Sequence, residues 1–176
     1  GDEPANPTGY KTDVHELDAG IKDYGIIYKD NNVQVNAFTV NHGRLQSLAY
    51  KFITEDKTIV LSGDTCPVEI MKEKARDADI LLHECEYTKG LETRSEQWQI
   101  YHRNVHTLSV DLAKLAIVAK PKLLVTYHRI YHMNVFDRSF DLKQEMEIRK
   151  QAILEEIKDA GYNGKVINGE DLDIFE

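Results

Sequence analysis

Residues 58–86 read TIVLSGDTCPVEIMKEKARDADILLHECE, and this stretch decides the fold. The apolar run Thr58-Ile59-Val60-Leu61 has the length of a buried strand. Ser62-Gly63-Asp64-Thr65 follows as a small-residue turn, and Pro67 stands near the start of a helix spanning Val68 to Ala75, with Ile70, Met71 and Ala75 facing inward. Ile80-Leu81-Leu82 is a second buried-type strand, running into His83-Glu84. Strand, turn, helix and strand in this order form a parallel unit with polar groups at the carboxyl ends of both strands. Ligands of open α/β sheets bind at that edge. Gly63 permits a sharp bend, after which Asp64 projects from the strand tip as a natural ligand for a cation.

Upstream, residues 26–54 read as an antiparallel meander. Ile26-Ile27-Tyr28 is a short strand, Asp30-Asn31-Asn32 is turn chemistry, and Val33, Val35, Ala37 and Thr39 alternate with Gln34, Asn36 and Phe38. That strand ends at His42-Gly43, and Leu48–Ile53 follows as the next. Residues 1–25 read as an irregular segment in which His15 is a surface residue. Downstream, 87–105 is polar, with Trp98 and Tyr101 as expected anchors. Thr107 or Ser109 is a candidate cap for a helix carrying Val110, Leu112, Ala113, Leu115, Ala116 and Val118, which Pro121 stops. Leu123–Tyr127 is a buried strand ending at His128. An amphipathic helix over 142–160 places Ile148, Ile153, Leu154 and Ile157 together, and Val166-Ile167 and Asp173-Ile174-Phe175 are expected as terminal strands.

The 176 residues suffice for one domain with a core. No apolar run approaches the roughly 20 residues of a membrane helix, so no membrane partner is expected. Thirty acidic residues against 22 basic ones give a net charge of −8, which argues against a broad nucleic-acid groove. Cys66 and Cys85 are too few for a disulfide scaffold and read as buried thiols. The opening GDEPANPTGY has neither the basic nor the apolar region of a signal peptide, and it starts as if mid-chain. The compartment is not readable.

His42, Asp64 and His128 each stand just past an apolar strand, where their side chains can converge on one rim. Histidine with aspartate suits zinc, iron or manganese. The ordered series NH(42)G, SGDT (62–65), HE (83–84), HT (106–107) and LLVTYH (123–128) resembles the metallo-β-lactamase superfamily, in its ribonuclease Z-like branch. The motifs cover residues 26–128, and the phrases EPANPTGYK and GEDLDIF extend the likeness to uncharacterised bacterial members.

The resemblance implies an αββα sandwich, of which residues 1–176 supply the C-terminal half: a mixed sheet with helices on one face. It implies two divalent ions, zinc in most members and manganese or iron as alternatives. His42 would bind the first ion, Asp64 would bridge both, and His128 would bind the second. His106 would face the scissile group as a catalytic residue beside Asp64, with His83 and Glu84 supporting the ligands from behind. The family's HxHxDH motif is absent from this chain, so its N-terminal half is expected to be missing. That half, or a second copy of this chain, is the expected macromolecular partner, and a small-molecule ester or phosphodiester the expected substrate. The opposing expectation is a non-catalytic half-domain or interaction module that keeps the fold without a complete metal site. His132 reads as a packing or surface residue near the same rim.

Overall fold

A computed structural model describes residues 14–18, 20–133, 139 and 141–175. Among these residues seven strands form one sheet in chain order: β1 (Asp23–Lys29), β2 (Gln34–His42), β3 (Leu45–Ile53), β4 (Thr58–Leu61), β5 (Ile80–Glu86), β6 (Leu123–Ile130) and β7 (Val166–Asn168). β1 to β4 pair antiparallel through short turns. β4 to β7 pair parallel, and each parallel step needs a long crossover. The crossovers carry α1 (Glu69–Lys74), then α2 (Thr88–Glu92), α3 (Glu96–Arg103) and α4 (Ser109–Ala119), and finally α5 (Leu142–Asp159).

Met71 of α1, Leu112 and Leu115 of α4, and Ile153 and Ile157 of α5 pack with Phe38, Val40, Val60, Leu81 and Leu124 into the main core. The other side of the sheet carries a smaller cluster of Ile80, Leu123 and Val125, with Ile59, Leu82, Ile167 and Phe175 only partly buried against it. The expected mixed sheet with helices on one face is therefore what the chain forms.

Several local readings change. In β2 the core face holds Phe38, read as outward, together with Val40, because that parity meets the helices. Trp98 and Tyr101 are about half exposed, and the large side chains buried in their segment are Leu91, His102 and Val105. Neither Thr107 nor Ser109 caps α4, whose N-cap Leu108 has no side-chain bond. The Thr107 hydroxyl donates to the Thr65 carbonyl at 2.6 Å, and the Ser109 hydroxyl reaches Glu156 of α5. Ile148 is exposed, and residues 173–175 form no strand. β1 begins at Asp23, inside the segment expected to be irregular; residues 1–13 of that segment lie outside the described ones.

Candidate metal centre

Three elements present the candidate side chains. After β4, the Ser62–Cys66 loop is held on all sides. The Ser47 hydroxyl donates to the Asp64 carbonyl at 2.8 Å, Cys66 N–H donates to the Asn41 carbonyl at 2.8 Å, and Thr65 N–H donates to Glu84 Oε1 at 2.8 Å. Gly63 turns the loop at φ +60°, and a Cβ there would meet the Leu48 carbonyl oxygen at 2.4 Å. The loop backbone is thereby tied down, while the Asp64 carboxylate stays partly exposed at the rim.

β6 runs past its expected end to Ile130, and His128 is the irregularity within it. Tyr127 pairs with Glu84 but Arg129 pairs with Cys85, so His128 is an inserted residue, held at φ +42°. A bulge of this kind re-aims a side chain. His128 Nδ1 lies 3.4 Å from Asp64 Oδ1, and its ring is 5.9 Å from that of His106.

His42 ends β2, and its Nδ1 is 2.8 Å from the Val105 carbonyl oxygen. A carbonyl can only accept, so Nδ1 carries the proton and Nε2 keeps its lone pair. This is the tautomer a metal-ligating histidine adopts when its second nitrogen is anchored to backbone. The His42 ring lies 5.0 Å from that of His106.

His106 follows α3, with Nδ1 3.0 Å from Oε1 of the fully buried Glu84. Partial burial works against its charged form. The hydrogen bond and charge of Glu84, with Glu86 and Asp64 farther off, outweigh that and raise the imidazole pKa above its ordinary value. Burial raises the Glu84 carboxyl, against the opposing pull of His106 and of the Thr65 and Thr107 N–H groups.

The structure thus gathers His42, Asp64, Glu84, His106 and His128 at one edge of the sheet. One ligand atom each from Glu84, His106 and His128 lie within 4.8 Å of one another. His83 stands apart. It is fully buried and shares the parity of Leu81 and Cys85, the helix side of the sheet, whereas Glu84 shares that of Ile80 and Leu82. Its Nδ1 contacts the Glu84 carbonyl at 2.8 Å, its Nε2 has no partner, and burial pushes its pKa down to about 4.

A second cluster was not anticipated from the sequence. Glu86, His102 and His132 also place ligand atoms within 4.8 Å of one another. Of the two readings of His132, packing or surface, the structure gives packing: its imidazole is buried against Glu86. The signal that could have found it is Glu84-x-Glu86: alternate strand residues share a face, so a second carboxylate there needs its own partners.

No protein-family model matches the chain. Over 79 residues it is 35% identical to a ribonuclease Z of Ignicoccus hospitalis, an alignment covering 45% of this chain and 24% of that protein. Among solved structures, the metallo-β-lactamase fold protein YhfI from Bacillus subtilis matches 85% of this chain and 52% of its own, with a TM-score of 0.61 and 15% identity. The short form of human tRNase Z matches 91% of this chain and 48% of its own, with a TM-score of 0.57 and 19% identity. The chain spans about half the length of these structures, and its aligned part about a quarter of the curated relative. It carries about half of a metallo-β-lactamase fold.

Proposed function

We propose that a chain with this half of the metallo-β-lactamase fold is the C-terminal half of a metal-dependent hydrolase acting on phosphodiester or related ester bonds. The observation that carries the reading is the convergence of His42, Asp64, His106 and His128 on one rim, backed by Glu84. The donor set fits divalent ions. His42 offers an unprotonated Nε2, Asp64 a carboxylate at the rim, and His128 a ring turned toward that carboxylate by the bulge. His42, Asp64 and His128 would hold the ions, with zinc, manganese and iron all compatible. When bound, such ions supply Lewis acidity toward the ester and lower the pKa of water.

The chain's own part is positional and proton-handling. Asp64 is fixed in place by the bonds along its loop. Glu84 orients His106 through Nδ1 and favours its imidazolium, which leaves Nε2–H for a departing oxygen. The relative of the aligned stretch is named for ribonuclease activity, so an RNA phosphodiester stands among the candidate substrates; the acidic net charge argues against a broad groove along the backbone, not against one phosphodiester held at the ions. The remaining ligands would come from the N-terminal half or a second copy.

The test is metal content and phosphodiesterase turnover of the full-length protein. Asp64→Ala is expected to lower metal content and abolish activity. His106→Ala is expected to keep the ions and slow turnover about 10²- to 10⁴-fold. Loss of metal in His106→Ala would overturn its assigned role.

A further inference from the structure

Glu86 touches none of the side chains of the centre described above and acts on His106 only through its charge, yet it is fully buried. His132 Nε2 bonds to its Oε1. His102 Nδ1 lies 2.7 Å from the same oxygen but out of line, making no hydrogen bond. Glu86 Oε2 is sealed from water with no hydrogen-bond partner, and His102 Nδ1, equally sealed, faces Glu86 only at ion-pair distance. An ionised carboxylate in that position costs several kcal/mol unless a cation meets it, either an imidazolium of these histidines or a metal ion held between them.

We propose that Glu86, His102 and His132 form a further metal-ion site, for zinc or another borderline divalent ion, separate from the His42–Asp64–His128 centre. One carboxylate oxygen and two imidazole nitrogens are the donors of zinc sites that keep an open position. They come from three places in the chain, β5, α3 and the segment after β6, so their meeting is a product of the fold rather than of local sequence. The third is delivered under strain: His132 is held at φ +57°, a conformation that side-chain-bearing residues rarely adopt. The chain at this point is seated on Gly90, where an added Cβ would approach the Tyr131 carbonyl oxygen to 3.0 Å and the His132 Cβ to 3.4 Å.

The same two histidines line a cavity of about 780 Å³ together with Arg94, Trp98 and Tyr131. Glu86 is not among the lining residues, so an ion held by the triad has the carboxylate behind it and the cavity in front. The fourth position is then open to water or to a small anion, and Arg94, which lines the same cavity, supplies a positive charge beside it. The site also backs the first centre without sharing its ligands, because the His102 ring packs 5.5 Å from that of His106.

The experiment uses full-length protein stripped with chelator and titrated with zinc, read by elemental analysis and thermal melting in the Asp64→Ala background. One equivalent of zinc is expected to be retained and to raise Tm. Adding Glu86→Gln, or separately His132→Ala, is expected to remove both the ion and the shift, with circular dichroism confirming that each variant is folded. His102→Asn serves if either variant fails to fold. Cobalt in place of zinc should give visible absorption bands that vanish with the same substitutions. Zinc retention and a Tm rise that survive Glu86→Gln, or no retained ion in Asp64→Ala, would overturn the proposal. Failure of Asp64→Ala to lower total metal would instead count against the first centre alone.

Discussion

Gly63 fixes where Asp64 points. Its positive φ and its 2.4 Å virtual contact with the Leu48 backbone leave no room for any side chain. Gly63→Ala is expected to cost about 2 kcal/mol or more, since both strain and a backbone clash are imposed. Its signature is a lower Tm together with weaker metal binding, while Gly20→Ala, where nothing lies within 4 Å, meets no such clash. Asp64 and His42 were legible because each follows an apolar run and flanks a glycine. His128 was legible as a strand-end histidine but not as a bulge, because an inserted residue leaves no mark in hydrophobic periodicity. Glu86, His102 and His132 were hidden for a different reason. Their relation is three-dimensional, and single histidines in polar segments look like surface.

At the scale of elements, α5 does more than cover the sheet. Glu156 is buried on its inner face and its carboxylate accepts the Thr88 and Lys89 N–H groups at 3.0 Å each, along with the Ser109 hydroxyl. One side chain from α5 therefore satisfies the start of α2 and ties it to the start of α4. Glu156→Ala is expected to lower stability by about 2–4 kcal/mol in denaturant unfolding, because buried N–H donors lose their acceptor. Glu156→Gln, which keeps one acceptor oxygen, should cost less. The helical period of α5 was readable, but its apolar stripe was drawn through Ile148, which is exposed. The polar position that matters lay next to Ile157, where a glutamate looks like ordinary helix surface. Thr107 and Ser109 were misread similarly: their hydroxyls suited a cap, and tertiary acceptors claimed them instead.

For the molecule as a whole, the buried titratable groups set the response to acid. His83 is held neutral by burial, its pKa moved from 6.5 to about 4. The unfolded chain takes up this proton first as pH falls. The histidine's contribution is therefore intact above pH 6.5 and is lost progressively toward pH 4, on the order of 3 kcal/mol in all. Glu84, raised by burial, acts in the opposite sense, so the effect is isolated by comparison with His83→Leu. Wild type is expected to lose more stability than His83→Leu between pH 7 and pH 5 in urea unfolding. The sequence of strands and helices was legible because short apolar runs bounded by turn residues alternate with helical periods, while the helix-covered face of β2 was not, because Ala37 and Phe38 on opposite faces are both buried. The order of the seven strands has a kinetic meaning as well. Among the described residues, each strand bonds only to those made just before and just after it. A chain emerging from the ribosome can thus lay every new strand on an edge that already exists, and none has to wait exposed for a partner synthesised much later.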